Sequence, residues 1–127
     1  MVPEQEMAQA ARQAGLRLLV LFGSRVLGNV HGHSDWDFGY LAGKTHDDEL
    51  LRERLMGILA TDLVDLIDLS KASALLRIQV AVGGRPVFED DTGVFQTFQI
   101  DAASFWCDAE PVLRVAYRQV LDGLQAA

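Results

Sequence analysis

The seven residues Asp35 to Leu41, DWDFGYL, alternate strictly between two kinds of side chain. In an extended chain Asp35, Asp37, Gly39 and Leu41 share one side, and Trp36, Phe38 and Tyr40 share the other. The pattern predicts a strand with an aromatic face towards a core and an acidic face towards something else. Before it, Leu16 to Phe22, LRLLVLF, is almost continuously apolar and reads as a buried strand ended by Gly23-Ser24. The connection between them holds Gly28, Asn29 and Gly32, which punctuate against a long regular element. Leu21 to Leu41 thus pairs a small backbone-donor loop with two same-side acids, an arrangement suited to holding a nucleoside triphosphate through metal ions.

The remaining segments supply a sheet and its cover. Residues 4–14 predict a helix burying Met7, Ala11 and Ala14, with Gly15 as its stop. Thr45 to Ala60 predicts a second helix, with Asp47 and Asp48 at its positive end and Leu51, Leu55, Ile58 and Leu59 buried. Residues 61–69, TDLVDLIDL, alternate as a strand. Ser70 suits the N-cap of a helix over about 72–82, and Arg85 to Phe88 reads as a short strand that Pro86 places at a sheet edge. Two C-terminal helices are expected. Phe95, Phe98, Ala102, Phe105 and Trp106 stripe the first, and Leu113, Ala116, Tyr117, Val120 and Leu124 stripe the second, with Pro111 in its first turn. The class is α+β, a small mixed β-sheet with helices packed on it plus C-terminal helices. It forms a single domain over 1–127, with its core at about 16–91 and the C-terminal helices at about 92–125.

Composition narrows the function. The 127 residues carry a formal net charge of −7, which argues against direct nucleic-acid binding through phosphates but not against a nucleotide held by metals. The one cysteine, Cys107, excludes an internal disulfide, fits a cytoplasmic location and is expected to be buried. No run approaches the ~20 apolar residues of a membrane span, and MVPEQEMAQAA is unlike a signal peptide.

Three features could carry chemistry. Asp35 and Asp37, two strand rises or ~7 Å apart, repel unless cations sit beside them, and hard divalent ions accept carboxylate and phosphate oxygens together. By itself such a pair also describes a solvated strand face. Gly23-Ser24 could cradle phosphate with free N–H groups, although a lone Gly-Ser is more often a turn. Asp65, between Leu63 and Ile67 on what looks like an inward face, needs a reason to be there. If its strand lies beside Asp35–Leu41, Asp65 faces the other two acids and could ligate a metal and accept the proton of an attacking hydroxyl. Asp62 is the alternative for that place. His31 and His33 sit near the acids in a polar loop, Lys44 and His46 could approach a nucleotide, and Arg77 and Arg85 are unplaced. Trp36, Phe38 and Tyr40 belong to the core rather than to a base-stacking platform. Phe105 and Trp106 could meet a partner.

Taken together, Gly23-Ser24, ten residues, Asp35, one residue, Asp37 and then an acid in VDLIDL resemble the nucleotidyltransferase superfamily of DNA polymerase beta. Within it the chain is most similar to the minimal nucleotidyltransferases, the MNT half of HEPT/MNT toxin–antitoxin pairs, also called MntA-like antitoxins. Ser34-Asp35-Trp36-Asp37-Phe38 looks like the family's S-D-x-D-hydrophobic core. VDLIDLSKA followed by LLRIQVAVGGRPVFEDD looks like its third strand, short helix and edge strand. The resemblance covers residues 16–91 well and the final helices loosely.

The resemblance implies a nucleotidyltransferase-like fold and transfer of AMP from ATP. Asp35, Asp37 and Asp65 would be catalytic and would hold two Mg2+ ions. Gly23 and Ser24, with Arg25 and Ser34 beside them, would bind the nucleotide. The implied acceptor is a tyrosine of a HEPT-type toxin, silenced by the modification and held in a complex with this chain. An aminoglycoside-like small molecule is the other acceptor, and a binding module that neutralises its partner by contact alone is the non-enzymatic reading. One departure stands out. The family often shows Gly-Ser-x-Ala-Arg-Gly, whereas Leu27 occupies the arginine position here, so a basic residue is missing or is supplied by Arg25.

Overall fold

A computed structural model describes residues 2–23 and 35–126. It contains helix α1 (Glu4–Gln13), strand β1 (Leu16–Phe22), strand β2 (Trp36–Ala42), helix α2 (Asp48–Leu59), strand β3 (Val64–Asp68), helix α3 (Ala74–Gly83), strand β4 (Arg85–Glu89) and helix α4 (Val94–Ala126). The four strands form one sheet in the order β3-β2-β1-β4. β1 runs antiparallel to both β2 and β4, and β2 runs parallel to β3. A parallel pair needs a crossover, and α2 supplies it. The architecture is the expected mixed α+β sheet, with β4 at an edge as Pro86 requires.

Each sheet face buries its own core. On one face Leu19, Leu21, Phe38, Tyr40 and Val64 pack under α1 and α2, through Met7, Ala11, Leu51 and Leu55. On the other, Leu18, Val20 and Leu69 pack under α3 and α4, through Val80, Phe98 and Ala102. The aromatic side of β2 therefore lies in the first core, with Trp36 and Phe38 stacked at 6.5 Å between ring centroids. The acidic side of β2 shares its face with the second core.

Four expectations need correction. Asp47, not Thr45, starts α2, its carboxylate accepting the Leu50 N–H. Ser73, not Ser70, caps α3, while Ser70 turns back to donate twice to Asp68. The two C-terminal helices are one, α4, of 33 residues with Pro111 inside it. Strong helix formers flank Pro111 on both sides, and the loss of one N–H to the Cys107 carbonyl does not interrupt them. Lastly, Cys107 is exposed, because its position on α4 is turned well away from the buried Ala102.

Candidate active site

The parallel register of β2 and β3 sets Asp37 directly opposite Asp65, one residue after the Trp36–Val64 pair. Two further contacts hold the strands at this point. The Trp36 N–H donates to the Leu63 carbonyl at 2.8 Å, and Arg52 on α2 donates to the Val64 carbonyl at 2.7 Å. Asp65 was expected to face inward, but it is exposed. Among the described residues its sheet face is covered further along, where Leu69 meets α3 and α4. Asp62 lies before the strand and has no register partner on β2.

Gly23 follows β1, whose Phe22 pairs with Asp37. Its φ of +82° is a conformation other residues adopt only under strain, and a Cβ there would meet the Asp37 carboxylate oxygen at 2.6 Å. The glycine therefore makes room for the acid, a relationship the spacing alone did not reveal. Its signal was the glycine next to a strand end that pairs with D-x-D. The Asp37 carboxyl is pushed above the usual carboxylate range, first by burial and then by the charges of Asp65 and Asp35. Asp65 and Asp35 thus both act on Asp37 through space, with Asp35 exposed at the entry to β2.

Ser24, Arg25 and Ser34 lie outside the described residues, as do Leu27, His31 and His33. Lys44 and His46 sit past the opposite end of β2 from Asp37, and His46 faces Asp48 at 3.7 Å. Arg85 pairs with Glu4. Arg77 donates to the Ala72 and Ser70 carbonyls, both at 2.9 Å, and lies 4.3 Å over the Phe105 ring. Among the described residues, His46, Arg77 and Arg85 thus make these contacts away from the acids.

The donor set fits a hard divalent cation. Among the described residues it offers carboxylate oxygens, with the charges of Asp65 and Asp35 close enough to act on Asp37, which is the electrostatic situation a cation relieves. Among the described residues no three His, Cys, Asp or Glu side chains are already gathered as a finished metal cluster. The preformed part is the Asp37–Asp65 pair.

Comparison with known proteins agrees with this geometry. Residues 5–93 match the family described as "Polymerase beta, Nucleotidyltransferase". "Protein adenylyltransferase MntA" of Aphanizomenon flos-aquae is 33% identical over 96 residues, a span of 66% of this chain and 64% of that protein. The match therefore spans just under two thirds of that relative's own length. Among solved structures, a chain of the "toxin-antitoxin with AMP-PNP" superposes with a TM-score of 0.80 at 28% identity, over 94% of this chain and 99% of that one. A chain of the tri-AMPylated Shewanella oneidensis HEPN toxin in complex with MNT antitoxin superposes with a TM-score of 0.70 at 26% identity, over 93% and 95%. With its strand order, its facing acids and a family match over most of its length, the chain belongs to the polymerase beta nucleotidyltransferase family.

Proposed function

We propose that this chain is a protein adenylyltransferase. As a single minimal nucleotidyltransferase domain, it moves AMP from ATP to a tyrosine of a HEPN/HEPT-type toxin and so acts as that toxin's antitoxin in the cytoplasm. The observation that carries the reading is the Asp37–Asp65 pair beside Gly23, in a chain that superposes on a toxin–antitoxin structure with AMP-PNP.

Asp35, Asp37 and Asp65 would hold divalent cations, two Mg2+ ions, which when bound neutralise the triphosphate and polarise the transferred phosphoryl group. The turn at Gly23, with Ser24, Arg25 and Ser34, binds the nucleotide phosphates. Asp65 takes the proton of the attacking tyrosine hydroxyl, because it is exposed to an incoming acceptor while Asp37 sits against Gly23. A tyrosine O–P bond forms at the α-phosphorus, the P–O bond to pyrophosphate breaks, and pyrophosphate leaves. The exposed face at Asp65 suits an acceptor brought by another protein.

The test is incubation with α-labelled ATP, Mg2+ and the toxin encoded in the adjacent reading frame. Label is expected on that toxin, and none with Asp35→Asn plus Asp37→Asn. Neutralisation of the toxin by that double variant would show a contact-only module instead, the reading that Leu27 at the usual arginine position keeps open and the intact acids speak against.

A further inference from the structure

Every residue from Pro111 to Leu124 is exposed, yet this half of α4 is not a polar helix. Val112, Leu113, Val115, Tyr117, Val120, Leu121 and Leu124 are between 41% and 70% exposed. At 3.6 residues per turn they spread over roughly two thirds of the helix circumference, with Arg114, Arg118 and Asp122 in the remaining third. The apolar face continues the buried seam. Val120 follows the covered Ala102 by eighteen residues, which is five turns, so both side chains point the same way. The described domain stops covering the seam, and ~20 Å of largely apolar helix runs on.

We infer that residues 112–124 are the docking helix for the protein substrate, and that they insert into an apolar groove on the surface of the toxin. This rests on the function proposed above and names the surface through which it selects its acceptor. Three observations choose this occupant. A two-stranded pairing with a second copy uses a narrow seam, two positions in seven, whereas an apolar face over roughly two thirds of the circumference suits a groove that wraps the helix. The proximal half of α4 packs on the same sheet face that carries Asp37 and Asp65, so a partner on the distal half stands on the acidic side of the sheet. The chain superposes over 94% of its length on a chain of a toxin–antitoxin structure, a protein that works beside a toxin.

The experiment is Val120→Glu combined with Leu124→Glu, both on exposed positions. Its readouts are calorimetric affinity for the adjacent-frame toxin, binding of a fluorescent ATP analogue, and light scattering of the chain alone. Toxin affinity is expected to fall at least a hundredfold, with ATP-analogue binding and the melting temperature unchanged. Wild-type toxin affinity in the double variant would overturn the inference and leave the proposed activity standing. A wild-type chain that dimerises alone, through contacts the double variant abolishes, would assign the seam to a second copy and also overturn it. Failure of label transfer by wild-type protein that still binds toxin through this helix would instead sink the proposed activity.

Discussion

Asp37 on β2 and Asp65 on β3 are direct neighbours in a parallel register, on one face of the sheet, with the turn at Gly23 against the first of them. Twenty-eight residues of sequence separate them, and the α2 crossover brings them together.

In the proposed function Asp65, set beside Asp37, is the general base. Asp65→Asn is expected to lower the AMP-transfer rate by about 10²–10⁴-fold, the usual contribution of such a group, with little change in melting temperature. Asp62→Asn should stay within a few-fold of wild type. Single-turnover transfer assays on both variants decide it, and equal damage from the two would remove Asp65 from this role.

The contact between Gly23 and Asp37 makes a different prediction. Gly23→Ala forces a side chain into a left-handed backbone site and against the Asp37 carboxylate. The backbone cost is about 1–2 kcal/mol of stability, read by denaturant unfolding. Transfer should fall much further than that loss explains, because the carboxylate must move. A Gly23→Ala enzyme with full activity would show that Asp37 has another place to sit.

Asp37 also sets a pH dependence. Its folded-state carboxyl is raised above the unfolded value, so the fold binds its proton more tightly than the unfolded chain does. The resulting stability is fully present below the ordinary aspartate pKa and is lost as pH rises through the raised one. Asp37→Asn, which removes the charge, should therefore melt higher than wild type at pH 7, and the gap should close in acid. Melting curves across pH 3–8 test the sign, and a variant less stable than wild type at pH 7 would reverse it.

Much of this fold was legible because period-two patterns are hard to mimic. DWDFGYL proved to be strand β2 to within a residue at each end, TDLVDLIDL holds the shorter strand β3 at Val64–Asp68, and β1 runs over the predicted residues. Whether Asp62 or Asp65 joins the D-x-D pair depended on strand register, which is a tertiary fact, so sequence could only make it conditional. Ser70 was misread as a cap because Asp68 claims its hydroxyl, leaving Ser73 to cap α3. Pro111 was misread as a boundary because proline at a helix start and proline inside a helix look alike locally. The apolar stripe after it gave no sign of whether the protein covers it, since hydrophobic periodicity reports a wish for burial and not its partner.

The Arg52 hydrogen bond to the Val64 carbonyl ties an edge strand to the crossover helix. Arg52→Met should cost about 1 kcal/mol. It should also speed amide exchange at Trp36 and along β3 more than in β1, because only the β3 end loses an anchor. Uniform exchange changes across the sheet would mean that the bond acts on the whole fold instead.

The long helix divides the chain into parts with different lifetimes. Up to Ala102, α4 is held by the second core, but beyond Pro111 it rests on its own hydrogen bonds, one of them missing at the Cys107 carbonyl. A protease meets Arg114 and Arg118 on an exposed, self-supported stretch. Trypsin should therefore clip the free chain there first and leave a fragment with its sheet intact. The chain would survive as a folded catalytic body that has lost its grip, so bound partner would decide how long the whole molecule lasts.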